Sequence, residues 1–334
     1  MKWINRSWTE FSDNEITAVN GFTFALCSSL STINIPECTN VGEYAFYSCR
    51  SLTSIDLPVC TTVGSSAFEY CYSLASVNLP ACTTVGSSAF ANCTSLSELN
   101  IPECTNVGEY AFCRCFELSS LNLLKCTIIG STAFRYCSSL TSVNLPACSS
   151  IKYYAFANCT LLTSVNLPAC TTVGNSVFTN CTSLTSIDLP ACSVVYDDAF
   201  TNCTSLTSVN LPVCSSIHRP FKSCTSLTSV NLPECRTIDY HAFENCSSLA
   251  IIDLSKCTYI YNGAFESCHS LTTLILRNSY VVTLQAIGAF YSTPMSVSTY
   301  TGTFGSIYVP ASLVNAYKSA TNWTTYKSRI TAIR

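Results

Sequence analysis

The chain repeats one short pattern of apolar and polar positions from end to end. A representative unit is Leu52-Thr53-Ser54-Ile55-Asp56-Leu57-Pro58-Val59-Cys60-Thr61-Thr62-Val63-Gly64-Ser65-Ser66-Ala67-Phe68-Glu69-Tyr70-Cys71. Ile55 and Leu57 alternate with Ser54 and Asp56, which predicts a short half-buried strand. Pro58 has no N–H to give to a sheet ladder, so the strand should stop there. Val63, Ala67 and Phe68 then return the chain along the other side of a coil. Leu52, Ile55, Leu57, Cys60, Val63, Ala67, Phe68 and Cys71 are expected to point inward. The opening leucine recurs at Leu30, Leu52, Leu74, Leu96, Leu118, Leu140, Leu162, Leu184, Leu206, Leu227, Leu249 and Leu271. This makes twelve units, preceded by a partial one with Val19, Phe24 and Cys27 in the places of Val41, Phe46 and Cys49.

The cysteines act as a ruler. Of 24, all but Cys113 fall on a grid running from Cys27 to Cys268 in steps of 11, with one step of 10 between Cys214 and Cys224. Alternate grid cysteines follow Leu-Pro-x or Ala-Phe-x-x, so the true period is 22. Such a period marks stacked repeats. A lone coil buries too little apolar surface to offset the ordering of its backbone, so neighbouring coils must complete the core. Stacking at the parallel-strand spacing of about 4.8 Å would make twelve coils on the order of 55–60 Å long.

Composition removes several function classes. Net charge is −3 and charged residues are 10% of the chain, so no basic stripe is available for a nucleic-acid backbone. No apolar run is long enough for a membrane span. The opening residues Met1 to Trp8 lack the apolar core of a secretion signal. Either such a signal was removed, or none is used. The three histidines, His218, His241 and His269, stand in no catalytic motif, and no Gly-x-Ser-x-Gly or phosphate-cradling loop occurs. No base–nucleophile pair follows from spacing. The expectation is a protein that is not an enzyme and uses no cofactor.

Three readings of the cysteines compete. Reduced thiols pack as small hydrophobes, which suits two internal ladders. Disulfides up a ladder would join side chains that point the same way, with Cβ atoms too far apart. Structural zinc wants paired short spacings, and the chain has only Cys113-Arg114-Cys115. Core thiols are the favoured reading and no metal is expected. Cys113 occupies the place of Glu69, Ala91 and Thr179, and is expected to be an exposed thiol able to crosslink two molecules.

The unit Leu-x-x-Ile/Val-x-Leu-Pro-x-Cys-x-x-Val-Gly-x-x-Ala-Phe-x-x-Cys resembles the repeat of BspA-like leucine-rich-repeat proteins over about residues 16–276. It departs from the usual unit by being one residue shorter and by adding the cysteine after proline. The segment Ile307 to Tyr317, with Asn322-Trp323, is similar to the closing segment of such proteins from gut bacteria and their phages. The resemblance implies a leucine-rich-repeat solenoid, a mostly β horseshoe or arc of the α/β class. A parallel sheet would line one face, irregular or 3-10 segments the other, and a small helical cap would close the C-terminus. It also implies surface exposure, on a cell or a virion, and adhesion through protein or glycan binding. It brings no catalytic residues.

The expected division is an N-terminal cap and partial repeat over 1–26, a solenoid over 27–276 and a C-terminal cap over 277–334. Trp3, Trp8 and Phe11 are placed to cover the first coil. Ile307-Tyr308-Val309 reads as a last strand. Pro310, Leu313, Val314 and Tyr317 read as a helix, and Trp323, Tyr326 and Ile330 as a second one. The stretch 277–306 is the least regular.

Outward strand positions hardly vary: serine recurs at Ser54, Ser76 and onward, and asparagine at Asn78, Asn100 and onward. Hydrogen-bonded ladders are expected there. Variation gathers around each Ala-Phe, where Tyr44, Tyr47, Tyr70, Tyr110, Arg114, Arg135, Tyr136, Tyr153, Tyr154, Tyr196, Tyr240 and His241 stand. Tyrosine and arginine suit binding surfaces. The short coil Cys214 to Lys222 should be distorted, exposing His218, Arg219 and Lys222. The function these features predict is a binding or adhesion module for a protein or glycan. The alternative is a structural assembly component, a phage appendage or self-associating filament subunit, told apart by electron microscopy of the purified protein.

Overall fold

A computed structural model describes residues 7–296 and 304–333. Trp3, expected in the N-terminal cap, lies outside them. The chain forms two compact units, Met1–Leu167 and Pro168–Arg334, and both are built from the same coil.

In the first unit the strand predicted after each leucine is present as Ser54–Asp56, Ser76–Asn78 and Glu98–Asn100, then as Ser120–Asn122, Ser142–Asn144 and Ser164–Asn166. These pair in parallel with a register of 22, Ser54 beside Ser76 and Ser120 beside Ser142. A second, two-residue strand follows each proline turn. It runs from Ala18–Val19 through Asn40–Val41 and Thr62–Val63 to Ser150–Ile151, also parallel. The second unit repeats both rows, with Ser186–Asp188, Ser208–Asn210 and Ser229–Asn231 in one, and Thr172–Val173 through Thr283–Leu284 in the other.

The coils number slightly more than the predicted twelve. Within the stretch 277–306, expected to be irregular, residues 277–296 supply another. Thr283–Leu284 pairs with Tyr259–Ile260, and Ala289-Phe290 stands in the Ala-Phe place, stacked on Phe265. Thr293 takes the cysteine place, fully buried, with its hydroxyl donating to the Phe290 carbonyl at 2.7 Å.

The core is a set of identical ladders. Phe24, Phe46, Phe68, Phe90, Phe112, Phe134 and Phe156 stack face over face, with centroids 4.9–5.4 Å apart and ring planes within 6°. Phe178, Phe200, Phe221, Phe243, Phe265 and Phe290 repeat this in the second unit at 5.4–5.5 Å. Offset stacking adds to the apolar burial each ring contributes.

The backbone beside each phenylalanine is not a strand, yet it bonds from coil to coil. Tyr44, Phe46 and Ser48 donate their N–H groups to Ser65, Ala67 and Glu69 of the next coil at 2.7–2.9 Å. Between them Tyr47 and Cys49 close local turns back onto Tyr44 and Phe46. The alternation needs left-handed residues at two places per coil, for example Tyr44 (φ 54°) and Ser48 (φ 56°). The glycine row has a different cause. Its φ is not left-handed, but a Cβ on Gly42, Gly64, Gly86, Gly108 or Gly130 would sit 2.6–2.7 Å from backbone of the preceding coil.

All 24 cysteines are buried. Those after Ala-Phe-x-x donate Sγ–H to the phenylalanine carbonyl of the coil before, as Cys49 does to Phe24 at 3.1 Å and Cys246 to Phe221 at 3.1 Å. Those after Leu-Pro-x donate to the carbonyl two residues ahead, as Cys60 does to Thr62 at 3.4 Å. Cys113 is a correction: it is 9% exposed, and is no outward thiol. Glu69 and Thr179 suggested an open position, but Ala91 (4%) and Ala157 (1%) show that small side chains tuck in there.

The short coil is also less disturbed than expected. The missing residue shortens the register to 21 between Ser208 and Ser229 and between Ser216 and Thr237. The phenylalanine ladder runs through it, with a 20° tilt between Phe221 and Phe243 as the visible effect. His218, Arg219 and Lys222 are half-buried rather than freely exposed, Arg219 and Lys222 in ion pairs and His218 hydrogen-bonded to Asp239.

Aromatic residues close both ends. Phe11 meets Phe24 edge-on at 5.0 Å and Trp8 stacks on Phe11 at 5.2 Å. Tyr326 meets Phe290 edge-on at 5.4 Å. Trp323 Nε1–H and the Asn322 amide donate to the Val282, Leu284 and Gln285 carbonyls, and the Tyr326 hydroxyl donates to Ile287. These bonds occupy acceptors that another coil would otherwise take. Ser306–Val309 is the expected late strand, pairing with Thr273–Ile275. Pro310 precedes a 3-10 turn and the short helix Val314–Ser319. The second predicted helix is only a 3-10 turn, Trp323–Tyr326, because Ile330 joins the strand Ile330–Ala332 beside Ser306–Val309.

Phe112→Ala should lower unfolding free energy by about 3–5 kcal/mol, the usual cost of an emptied aromatic site in a core. Denaturant melts would show it, and an unchanged midpoint would refute the central role given to the ring stack. The thiols predict an alkaline limit. Burial pushes Cys49, Cys60 and Cys126 from 9.0 up to about 12. Folding therefore favours the protonated thiol. That stability is fully present below about pH 9 and is lost as pH rises towards 12. Unfolding monitored against pH should steepen above 9, and the native protein at pH 8 should resist thiol-reactive dyes until denaturant is added. Rapid native labelling of many thiols would contradict the buried ladders.

Candidate functional site

The strand face is uniform. Asn78 donates its amide to Asp56 at 2.8 Å and Asn100 to Asn78 at 2.6 Å. Asn144 and Asn166 continue a like series from Asn122, and Asn210 and Asn231 one from Asp188. Asn78, Asn144 and Asn210 thus each spend a donor and an acceptor on their neighbours. A shallow groove of about 520 Å³ lies over Asp56, Asn78 and Asn100.

The edge around each Ala-Phe is where chemistry varies. The left-handed backbone positions carry Tyr44, Tyr70, Tyr110, Arg114, Tyr136, Tyr154, Arg219 and His241, so most of the predicted surface residues stand where the cross-coil ladder dictates the backbone. The side chains fall into three groups. In the first, Tyr44 stacks on Phe22 at 4.9 Å and meets Tyr47 edge-on. Tyr47 meets Tyr70, Tyr70 meets Tyr72, and Arg50 lies 5.6 Å from the Tyr72 ring centre. The Glu69 carboxylate raises the Tyr70 phenol above its ordinary range, so this hydroxyl keeps its proton.

In the second group, Arg114 and Arg135 both lie over the Tyr136 ring, at 5.7 and 4.8 Å, and Arg135 also lies 5.1 Å from the Tyr154 ring centre. Tyr153 stands beside Tyr154 and donates its hydroxyl to Glu109 at 3.3 Å. Burial raises the Cys113 thiol, against the opposing pull of Arg114 and Arg135.

The third group, in the second unit, is stitched by charge. Arg219 makes a two-pronged contact with Asp198 at 3.1 and 2.8 Å, which raises its guanidinium further. Lys222 pairs with Glu244 at 3.0 Å, and His241 lies between Glu244 and Glu266. A Cβ on Gly263 would strike the His241 ring at 2.5 Å, so this glycine leaves the imidazole its room. Tyr240 packs against Tyr261 at 4.7 Å and accepts from Gln285.

In this unit the glycine row gives way to Tyr196, His218, Asp239 and Tyr261. The structure assembles here what spacing did not suggest: Ser216 Oγ lies 3.0 Å from His218 Nε2, and His218 Nδ1 lies 3.0 Å from Asp239 Oδ2. Tyr196 stacks on the imidazole at 5.9 Å, and the Tyr240 N–H holds the other Asp239 oxygen at 2.7 Å. The order is that of a nucleophile, a base and an orienting carboxylate. Such a relay also needs preorganised donors for a developing oxyanion. Ser216–Ile217 is an inner strand between Val194–Val195 and Thr237–Ile238, so the nearby strand N–H groups are spent on the ladder. The hydrogen bonds fasten two coils, and the Tyr196 stack reaches a third. The signal that could have revealed it is the loss of glycine from its row at 196, 218, 239 and 261.

No group of residues suited to a metal ion occurs among the described residues, and no described helix is long and apolar enough to cross a membrane.

The model of the BspA type leucine rich repeat region matches in overlapping stretches, residues 5–119, 105–220 and 193–311. The chain belongs to this BspA-type leucine-rich-repeat family. Among solved structures, a leucine-rich repeat protein from Bacteroides ovatus is 22% identical, with 95% of this chain and 88% of that one covered at a TM-score of 0.60. This likeness supports the leucine-rich-repeat fold. A leucine rich cell surface protein from Faecalibacterium prausnitzii is also 22% identical, covering 87% and 86% at a TM-score of 0.47. No curated protein matches the chain significantly. The BspA-type repeat thus supplies the coil, and the residues around Ala-Phe are what distinguish one coil from the next.

A fluorophosphonate probe is expected to leave Ser216 unmodified by intact mass. Asp239→Asn should instead cost about 1 kcal/mol in unfolding, the worth of a typical hydrogen bond. Labelling of Ser216 that disappears in Asp239→Asn would identify a working nucleophile and overturn the structural assignment.

Proposed function

We propose that this BspA-type chain is a non-enzymatic binding or adhesion module, and that its tyrosine- and arginine-bearing edge meets a protein or glycan ligand. The observation that carries the reading is where those residues stand. Tyr44, Tyr70, Tyr110, Tyr136 and Tyr154 occupy left-handed backbone, a conformation that costs most residues roughly 1–2 kcal/mol. The places equivalent to Tyr70 and Tyr136 hold Asn92, Asn158, Asn180, Asn202 and Asn245 in other coils, and those equivalent to Tyr44, Tyr110 and Tyr154 hold the smaller Ser66, Ser88, Thr132, Ser176 and Asp198; asparagine and aspartate tolerate this backbone best. Tyrosine at such places is unfavourable for folding alone, and its presence on an exposed edge is consistent with use in contact. A large ring on a backbone held from both sides also loses little freedom on binding.

The test is retention. Immobilised protein should capture a defined component from panels of purified surface proteins and polysaccharides. Tyr44→Ala/Tyr47→Ala/Tyr70→Ala and Arg114→Ala/Arg135→Ala variants, checked for unchanged unfolding, should show which group carries the contact, with at least tenfold weaker capture in one of them. Capture of nothing, or capture indifferent to both variants, would sink the reading.

A further inference from the structure

Resting on that reading, we propose that Arg114, Arg135 and the tyrosines around them form a subsite for an acidic polysaccharide, with the sugar's carboxylate or sulfate group held by the two guanidinium groups.

Unpaired charge marks the place together with its ring packing, since among the described residues Arg50, Lys152 and Arg236 also lack an ion pair but only here do two cations share one ring. In the second unit the cations on the same edge are neutralised, Arg219 by Asp198 and Lys222 by Glu244, and Lys256 and Arg277 elsewhere in that unit bind Glu234 and Asp253. In the first unit Lys125 binds Glu103. Arg114 and Arg135 have no carboxylate partner among the described residues. They flank one ring, Tyr136, so their mutual repulsion is uncompensated. Glu109, in the same coil as Arg114, accepts from the Tyr153 hydroxyl at 3.3 Å.

The arginines are also preorganised. Arg135 lies over Tyr136 and Tyr154, and its one hydrogen bond goes to the Tyr136 hydroxyl at 3.3 Å. Its Nε is enclosed without any acceptor. A guanidinium clamped this way has planar donors to spare and little rotamer freedom left to lose. That combination suits two-pronged recognition of an oxyanion, which a lysine ammonium cannot reproduce.

The surroundings point to a sugar chain. Arg114, Arg135 and Tyr153 belong to successive coils, whose spacing is marked by the 5.2 and 5.4 Å steps from Phe112 to Phe134 to Phe156. A polymer bearing an anion on its repeating sugars can follow that step and engage both arginines. The rings of Tyr110 (44% exposed) and Tyr153 (47%) lie open on either side to cover sugar faces.

The experiment is affinity electrophoresis or biolayer binding of the full chain to polygalacturonate, dextran sulfate, neutral dextran and polyglutamate at about 50 and 300 mM salt. Polygalacturonate or dextran sulfate should bind at least tenfold more tightly than dextran and polyglutamate, and the better of the two identifies carboxylate or sulfate as the group read. Arg114→Ala/Arg135→Ala should lose that binding. Arg135→Lys should lose most of it with the charge retained, while Lys125→Ala, which breaks a distant ion pair, should keep it. Equal binding of polyglutamate, or full binding by Arg135→Lys, would overturn the subsite. Capture of neutral dextran or of a protein, unchanged in the arginine variants, would overturn it while leaving the general binding role standing. No capture of any polymer or protein would remove both.

Discussion

The contact on which everything else depends is the axial one, made between a residue and its counterpart in the next coil. Within one coil the apolar side chains have little to touch. The Phe46 ring gains its partner only when Phe24 and Phe68 lie on either side of it at about 5 Å. The Phe46 N–H likewise finds its acceptor on Ala67, in the next coil. Ring stack and backbone bond therefore demand the same spacing and enforce it together. The thiols add a third fastening on the same line, since Cys71 reaches back to the Phe46 carbonyl. A chain so constructed has its stability in the interfaces between repeats, and its ends need other groups to stand in for a missing neighbour. Trp8 and Phe11 do this at the first coil, and Trp323 and Tyr326 at the last described one.

That axial constraint explains which parts of the structure were legible in the residues. The period could be read because each inward place admits few residue types, and a buried thiol, a phenylalanine and a leucine therefore recur at fixed intervals. The extra coil at Thr283–Leu284 was obscured because Thr293 replaces the cysteine and Leu276 lacks its proline. Burial and the Phe290 stack preserve the coil despite both changes. The burial of Cys113 is not legible from its counterparts because one place in the coil accepts both a tucked-in Ala91 and a half-exposed Glu69. Side-chain size decides the burial there, and polarity of the neighbours was a poor guide.

The candidate surface was legible as a list of residues and not as an arrangement. Nothing in a run of tyrosines and arginines says which of them are left-handed, because propensity argues against tyrosine at that conformation. The backbone overrides it: two N–H groups four residues apart must both point along the stack, and the residue at each place conforms. Nor could the residues show that Arg219 would be neutralised by Asp198 while Arg135 would lie between two rings. That difference depends on what the adjacent coil offers at the same height, Asp198 in one case and Tyr154 in the other.

The two kinds of edge follow from one rule. A residue on this fold has its neighbours chosen about 22 positions away, so charge placed in adjacent coils either cancels within the molecule or is left for something outside it. Arg219 with Asp198 and Lys222 with Glu244 use the first option, in a coil that has lost a residue and whose His218 also hydrogen-bonds Asp239. Arg114 and Arg135 take the second. Their positive charge meets aromatic faces, which hold a guanidinium in place without neutralising it. Holding without neutralising is what a binding subsite requires, because the electrostatic attraction remains to be spent on the ligand. The same backbone ladder that makes the fold monotonous thus allows local function to be set by the pairing of one side chain with the next.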